Sequence, residues 1–427
     1  MKFIVLIAML TAAFSSQASA EQRALPIVFV HGDSDTAGLW MVQMWRFESN
    51  LYPADRLFAV DIPHPSARGD DAVAEVNRSS TADAAQAVAA EVDAALKATG
   101  ADKVVLVANS RGCQTSRNYF RNFGGQTKVA AMVLTGCVHN GVFVAADAAQ
   151  GSEYNGAGAF LTGLNTMPVI PEGVAVTTIR SDRFDLYSQP DGKFIGNPGV
   201  ATGADFDSPE LPGANNLVLP GADHRETAYS PEAFALIYQA ITGRPASTTA
   251  ITAEPAPLLS GKLSGWDNAA PSNMPLAGAT LTLYATDPAT GARKGAPVYE
   301  TTVGEQGLWG PFAAKPDQTY EFVVQAAGYP LTRIYRSPFP RSSKVVNIRL
   351  YPAPEGTGKR IHVMRPRGYI GPDDKALANG QPLPGIPAGE PVPHVWQSGI
   401  PVDAAVQSSV QVVFRDETIT AMSLPVD

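Results

Sequence analysis

The chain has 427 residues, enough for two or three domains with buried cores, so a single small module is excluded. Hydrophobic residues make up 45% and charged residues 17%, a balance that excludes intrinsic disorder. The formal net charge is -8 and no block of lysine or arginine occurs, which argues against nucleic acid or an anionic membrane as a partner.

The first predicted element is an export signal over residues 1–20. It begins with Lys2, continues as an apolar run and ends in the small residues Ala18, Ser19 and Ala20, the pattern of a cleaved secretory signal. The run is shorter than the roughly 20 residues that a membrane span needs, and no stop-transfer flank follows it. We therefore expect a secreted or periplasmic protein that starts near Glu21 and has no transmembrane segment.

Residues 21–247 are expected to form an α/β domain with a mostly parallel sheet. Short β-branched runs alternate here with longer helix-like stretches, which is typical of parallel strands covered by helices. The strands are predicted over residues 26–30, 57–61, 103–107, 129–134, 174–179 and 216–219. Helices are predicted over residues 81–99, directly after Ser110, and over residues 231–242.

The pattern changes near residue 248. Residues 248–258 are rich in Ala, Thr and Pro, as interdomain linkers are. From 259 to 352, short alternating runs between Gly and Pro turns predict an all-β, sandwich-like or barrel-like domain. Residues 353–427, with strands expected near 360–364 and 409–414, form either a second β unit or an extension of the first.

The most informative motif is Ala108-Asn109-Ser110-Arg111-Gly112, at the end of a predicted strand. A small-x-Ser-x-Gly turn between a strand and a helix is typical of a nucleophile elbow, a strained turn that exposes the serine hydroxyl above the sheet. Ala108 stands where glycine is usual, but alanine is small enough for the turn. Ser110 is the predicted nucleophile; the alternative is a serine that only caps a helix.

A base and an acid are expected after the nucleophile, because folds with such an elbow order these residues as Ser, then Asp or Glu, then His. His224 lies in a loop after the last predicted strand and is the predicted base, whereas His139 precedes any acid loop. The loop after residues 174–179 offers two carboxylates. Asp185 is preferred because apolar residues and then a proline follow it, and Asp182 stays open as the alternative, with Asp205 and Asp207 as more remote ones.

The oxyanion hole of such a site uses the amide after the nucleophile and one from the loop after an early strand. These are the backbone amides of Arg111 and Asp33, with Ser34 as the fallback donor. The sequence His31-Gly32 after an apolar strand is the usual start of that loop. Only the backbone of Asp33 is proposed, since its carboxylate would repel an oxyanion.

Two further observations concern cysteines and cofactors. Cys113 follows the elbow and Cys137 ends a neighbouring predicted strand; a disulfide and two buried free thiols fit the sequence equally well. No spacing typical of a metal site, a P-loop or a dinucleotide site occurs, so neither a metal nor another cofactor is predicted. The sequence leaves the oligomeric state open.

Together these residues resemble the bacterial and archaeal lipases and carboxylesterases of the α/β-hydrolase superfamily that carry a C-terminal β domain. The resemblance covers nearly all of the chain after the signal and implies hydrolysis of acyl esters, with the β domain shaping or covering access to the site. Besides the elbow, it rests on Val30-His31-Gly32, Arg46-Phe47, Asn50-Leu51-Tyr52-Pro53-Ala54, Ser230-Pro231-Glu232-Ala233-Phe234 and Tyr335-Arg336-Ser337-Pro338-Phe339.

The chain departs from that family in one respect, and one segment has two interpretations. Many relatives have the sequence Gly-His-Ser-Met-Gly at the elbow, whereas this chain has Arg111 after the serine. A cationic Arg111 near the substrate disfavours long acyl chains. We expect instead that Arg111 is a helix-surface residue without substrate contact. Residues 141–168 are either a lid or a loop with a short surface helix.

The favoured function is that of an esterase or lipase acting on a small-molecule or lipid ester through an acyl-enzyme. One alternative keeps the same residues but acts on an extracellular polyester or an amide. Another is a noncatalytic binding protein that uses its β domain. The aromatic residues of that domain, Trp266, Trp309, Tyr329 and Tyr335, then form a binding face, although they are more often core residues.

Overall fold

The computed structural model describes residues 24–185, 187–191, 201–267, 270–288 and 292–352, and beyond these only the backbone of short strands between 360 and 424. The predicted export signal, residues 1–20, lies outside this part of the chain. None of the helices in the described ranges combines the length and apolar character that a bilayer crossing requires.

The first domain contains a six-stranded parallel sheet. The strands are β1 Ile27–Val30, β2 Leu57–Ala59, β3 Val104–Asn109, β4 Val129–Thr135, β5 Ala175–Arg180 and β6 Asn215–Val218. They run in the order β2-β1-β3-β4-β5-β6, and every neighbouring pair is parallel. The order reverses between β1 and β3, so the loops after these two strands meet at the switch point where α/β folds bind ligands.

Helices lie on both faces of this sheet, which confirms the predicted α/β class. Ser80 and Asp83 form a capping box at the start of the longest helix, which ends at Gly100 in the left-handed conformation with φ 65°. The described helices are α1 Met41–Ser49, α2 Thr81–Thr99, α3 Arg111–Asn122, α4 Ala159–Leu164, α5 Glu226–Tyr229 and α6 Pro231–Thr242, with short 3-10 turns at Ala37–Trp40, Ala54–Arg56 and Gly125–Thr127.

Successive residues of the central strands point to opposite faces, so each strand contributes to two cores. Val28 and Leu106 lie in the core that includes residues of α2 and α3. Phe29 and Val107 lie in the core on the other face, with residues of α1 and α6. The central strands are therefore buried on both sides, as the continuous apolar runs of the sequence predict.

From residue 258 onward, the helices and strands that the structure describes are all β-strands, as predicted. The strands are β7 Leu258–Ser264, β8 Trp266–Asp267, β9 Ala270–Pro271, β10 Thr280–Thr286, β11 Tyr299–Thr302, β12 Leu308–Ala313, β13 Thr319–Gln325, β14 Thr332–Arg336, β15 Ile348–Arg349, β16 Arg360–Met364, β17 Lys375–Ala378, β18 Gln381–Pro382, β19 Ile400–Pro401, β20 Val410–Val413 and β21 Thr420–Leu424. The largest sheet among these described strands has the order β11-β10-β13-β14-β21-β16-β19, and β12-β7-β15 and β18-β17-β20 form separate sheets. Strands from residues 353–427 thus join the main sheet through the pairing of β14 with β21.

Helix α1 packs the two domains together. Met41, Val42 and Trp45 lie in the hydrophobic core of the β domain, and Trp45 Nε1 donates a hydrogen bond to the Ser342 carbonyl at 2.7 Å. Trp309 belongs to the same core, whereas the side chain of Tyr335 lies outside the described part of the chain. The β domain is therefore packed directly against the domain that carries Ser110.

Candidate active site

Ser110 lies at the turn between β3 and α3 with φ 55° and ψ -127°. This positive φ is strained for a residue other than glycine and is the conformation expected of a nucleophile elbow. The turn needs two glycines beside it. A Cβ on Gly112 would lie 2.6 Å from the carbonyl oxygens of Val30 and His31, and a Cβ on Gly32 would lie 2.8 Å from Ser110 Cβ.

Cys113 and Cys137 form a disulfide, with their Cα atoms 5.8 Å apart. The sequence left this pairing open. The bond links the first turn of α3 to the end of β4, directly beside the turn that presents Ser110.

His224 and Asp185 are brought together from two loops. Both are buried, with exposed fractions of 2% and 1%, and His224 Nδ1 lies 2.9 and 3.0 Å from the two carboxylate oxygens of Asp185. The proton of the neutral imidazole is therefore placed on Nδ1. The other ring nitrogen, Nε2, is buried and has no hydrogen-bond partner among the described residues. This leaves Nε2 as the atom that can accept a proton.

Asp182, the alternative acid, has a different environment. Its carboxylate accepts hydrogen bonds from the amide of Gly221 at 3.1 Å and from that of Phe184 at 3.3 Å. It fixes the loop rather than the histidine, the role of a loop-capping carboxylate. Asp207 pairs with Arg180 at 2.5 Å, and Asp205 accepts hydrogen bonds within its own turn.

The loop around His224 is held by a reciprocal pair that the sequence analysis missed. Asp223 Oδ1 accepts the amides of Arg225 and Glu226, both at 2.8 Å, and Glu226 Oε2 accepts the amide of Asp223 at 2.9 Å. The Asp-x-x-Glu spacing, which is similar to that of a capping box, is the sequence signal that indicates this pair. Thr227 Oγ1 also donates to the His224 carbonyl at 2.8 Å. These contacts fix the backbone that carries the imidazole.

The two predicted oxyanion amides lie on the loops after β1 and β3. Among the described residues, neither the amide of Asp33 nor that of Arg111 has a hydrogen-bond acceptor. The fallback amide, on Ser34, donates to the Pro65 carbonyl at 3.2 Å. Both predicted amides thus lack an acceptor in the described part of the chain, whereas the fallback amide has one.

The carboxylate of Asp33 is occupied by donors from its surroundings. It accepts hydrogen bonds from Ser34 Oγ at 2.6 Å, the Ala67 amide at 2.9 Å and the Tyr154 hydroxyl at 2.7 Å. One neutral donor from the loop and two from other segments therefore hold the carboxylate in place, although they do not cancel its charge.

His31 fixes the start of this loop. Burial lowers the pKa of His31, so the ring is neutral. Its Nδ1 lies 2.8 Å from the Gly32 carbonyl, and its Nε2 accepts the Ile62 amide at 3.1 Å. The imidazole thus serves as a structural bridge rather than as a proton carrier.

The side chain of Arg111 lies in the interior, so the prediction of a helix-surface residue is wrong. It has no exposed surface and forms a two-point ion pair with Glu153, at 2.9 Å from Nε and 2.7 Å from Nη2. It also donates to the Pro65 carbonyl and to Ser79 Oγ, at 2.9 and 2.8 Å. Burial alone would lower the pKa of Arg111, but the Glu153 carboxylate, together with Tyr154 and Asp33, outweighs burial, so the pKa is raised. Because this charge is paired with Glu153, it gives no argument against long acyl chains.

Residues 141–168 contain the short helix α4, and the segment is anchored beside the elbow. Glu153 pairs with Arg111, the neighbouring Tyr154 binds Asp33, and the Gly151 carbonyl accepts the Asp71 amide at 2.8 Å. The segment therefore contributes to the support of both predicted oxyanion residues. Whether it also opens as a lid stays a prediction.

Two family models match the chain. Residues 24–164 match the class 2 lipases, and residues 258–352 match the lipase C-terminal domain. These matches confirm the resemblance to lipases that join an α/β-hydrolase domain to a C-terminal β domain, and they support an ester hydrolase. No curated protein sequence matches the chain significantly.

Several solved structures are similar at low identity. The mature form of a Bacillus licheniformis lipase is 18% identical with a TM-score of 0.40, covering 51% of this chain and 92% of that one. A Legionella pneumophila phospholipase is 11% identical with a TM-score of 0.36, covering 77% and 94%. A Bacillus subtilis carboxylesterase is 14% identical with a TM-score of 0.31, covering 52% and 85%. At these TM-scores the likenesses carry no argument about activity.

Proposed function

We propose that this chain, a class 2 lipase relative with a lipase-type C-terminal domain, hydrolyses carboxylic esters with Ser110 as nucleophile, His224 as base and Asp185 as the acid that orients it. The family matches support an ester hydrolase in general. The assignment of roles to residues is our own. The observation that carries it is the buried pair of His224 and Asp185, which leaves Nε2 without a partner among the described residues.

In the first half of the reaction, Ser110 Oγ bonds to the ester carbonyl carbon while His224 Nε2 takes the hydroxyl proton. The carbonyl oxygen becomes an oxyanion, which accepts hydrogen bonds from the amides of Asp33 and Arg111. Asp185 keeps the second proton on Nδ1 and stabilises the imidazolium. The tetrahedral intermediate then collapses: the bond to the alcohol oxygen breaks, and the alcohol leaves with the proton from Nε2.

The second half repeats these steps with water. His224 Nε2 takes a proton from water as the water oxygen bonds to the carbonyl carbon of the acyl-Ser110 ester. When the new intermediate collapses, the bond to Ser110 Oγ breaks and the serine regains its proton. The products are a carboxylic acid and an alcohol.

The experiment is hydrolysis of p-nitrophenyl esters from acetate to palmitate by the protein and by Ser110→Ala. The control is Ser116→Ala, which removes another buried hydroxyl of α3, one without a hydrogen-bond partner in the described structure. Activity that is lost only in Ser110→Ala supports the proposal, and the chain-length profile gives the size of the acyl site. A folded wild-type protein that cleaves none of these esters would overturn it.

We also propose that the protein is exported, with cleavage after Ala20, and that its domains have the limits given by the sequence. The support is the pattern of residues 1–20. Mass measurement of the protein recovered from the periplasm and the medium of a bacterial host tests this, since cleavage predicts an N-terminus at Glu21. Full-length protein found only in the cytoplasm contradicts it.

A further inference from the structure

Two side chains of the β domain hold the loop that carries the amide of Asp33. Arg349, on β15, donates from Nη1 to the Ser34 carbonyl at 2.6 Å and from Nη2 to the Asp35 carbonyl at 2.9 Å. Asn273 Nδ2 donates to the same Asp35 carbonyl at 2.9 Å. The backbone within two residues of the Asp33 amide is therefore fixed by a different domain.

These two side chains are themselves fixed. Arg349 Nη2 donates to Asn273 Oδ1 at 2.5 Å, and Arg349 Nε donates to the Ser272 carbonyl at 3.2 Å. Asn273 also binds the segment after β2, through its side chain to the Ile62 carbonyl and through its amide to the Pro63 carbonyl, both at 2.9 Å. Arg349 and Asn273 thus form one hydrogen-bonded unit that spans two loops of the hydrolase domain.

The loop needs such support because Ser34 has a φ of 60°. A residue other than glycine keeps this conformation only where its surroundings enforce it. The hydrolase domain holds the Ser34 amide through Pro65, and Arg225 forms an ion pair with the Asp35 carboxylate at 2.9 Å. The carbonyl groups of the same two residues are held from the opposite domain by Arg349.

We propose that Arg349 and Asn273 are positioning residues for the oxyanion hole, so that the β domain takes part in ester hydrolysis by aligning the amide of Asp33. This inference rests on the proposed function. An oxyanion donor acts only within hydrogen-bond distance of the charge that develops in the transition state. A displaced loop therefore lowers kcat and leaves KM nearly unchanged.

The test compares Arg349→Gln and Asn273→Ala with Arg341→Gln. Arg341 is a matched control because it also links the β domain to the hydrolase domain, through Glu48 at 2.8 Å, without touching the Ser34 region. We expect Arg349→Gln to lower kcat on p-nitrophenyl butyrate by about 10-fold to 100-fold, with less than about a threefold change in KM. Arg349→Lys restores only part of kcat, since an ammonium lacks the planar fork that reaches both carbonyls.

A second readout separates positioning from general loosening of the fold. Phenylboronic acid adds to a serine hydroxyl and forms a tetrahedral adduct, so its inhibition constant reports on the oxyanion hole. We expect this constant to rise in Arg349→Gln and in Asn273→Ala, but not in Arg341→Gln. Melting temperatures of all variants are measured alongside.

The outcomes are distinguishable. A wild-type protein without ester hydrolysis overturns the proposed function itself. An active wild type whose Arg349→Gln and Arg341→Gln variants have equal kcat and equal inhibition constants overturns only the positioning role. If Arg349→Gln does not fold, Asn273→Ala decides in the same way, because it keeps the guanidinium group but removes one hydrogen bond to the Asp35 carbonyl and the side chain that fixes Arg349 Nη2.

Discussion

Asp185 and His224 face each other with both carboxylate oxygens near Nδ1, at 2.9 and 3.0 Å, whereas Asp182 in the same loop binds the Gly221 amide. Asp185→Asn is therefore expected to lower kcat by about a thousandfold to ten-thousandfold, because the amide no longer holds the correct tautomer. Asp182→Asn is expected to change kcat by less than about tenfold, since it only weakens a loop contact.

Steady-state hydrolysis of one p-nitrophenyl ester by both variants measures this difference. Each variant replaces one carboxylate oxygen by an NH₂ group in the same loop, so each is the control for the other. The assignment of the acid is wrong if Asp182→Asn loses more activity than Asp185→Asn.

The buried ion pair of Arg111 and Glu153 gives a prediction on stability. Glu153→Gln leaves a guanidinium in the interior without its carboxylate, and we expect the free energy of unfolding to fall by about 3–5 kcal/mol. The control is Asp93→Asn, which breaks the solvent-exposed pair with Lys128 and should cost less than about 1 kcal/mol. Urea unfolding followed by circular dichroism measures both. Equal losses for the two variants contradict the prediction.

Two buried histidines predict that stability falls in acid. Burial lowers the pKa of His31, and burial together with the nearby Arg117 guanidinium lowers that of His139 well below its ordinary value of 6.5. In the unfolded chain both rings take up a proton near the ordinary value, so protons favour unfolding below it. Each histidine contributes stability that is present above this pH and is lost as the pH falls towards its lowered folded value.

The expected slope is at most about 1.4 kcal/mol per pH unit for each histidine. The measurement is the free energy of unfolding in urea at pH 7, 6 and 5, for the wild type and for His139→Gln. The variant is expected to show the smaller slope, because one of the two groups no longer titrates. An unchanged slope means that His139 does not contribute.

Local signals let the sequence predict much of the fold. The α2 bounds agree with the prediction because a capping serine and a terminal glycine mark both ends of the helix, at Ser80 and Gly100. The β6 bounds, Asn215–Val218, differ from the predicted 216–219 because polar residues blur the start of that strand. The turn at Ser110 was predictable for a similar reason, because an apolar strand, small residues and the serine lie close together in the sequence.

Long-range contacts were not predictable from one sequence. Arg111 and Glu153 are 42 positions apart, and Arg349 and Ser34 are 315 apart. Neither pair leaves a periodicity or a spacing that a single chain reveals, since the fold alone brings the partners together. The sequence therefore leaves a helix-surface position for Arg111 as the expectation, whereas the side chain lies in the interior.

The disulfide between Cys113 and Cys137 closes a loop with a sequence separation of 24. In the chain-entropy account, a cross-link of this length restricts the unfolded chain and contributes about 3.5 kcal/mol. The double variant Cys113→Ala/Cys137→Ala is expected to lose about this amount in urea unfolding under oxidising conditions. In a buffer that reduces the wild type fully, the difference between wild type and variant should nearly vanish, which serves as the control. Free thiols titrated in the denatured, unreduced wild-type protein would contradict the pairing, whereas their absence together with a loss in the variant establishes that the bond forms and stabilises the folded protein.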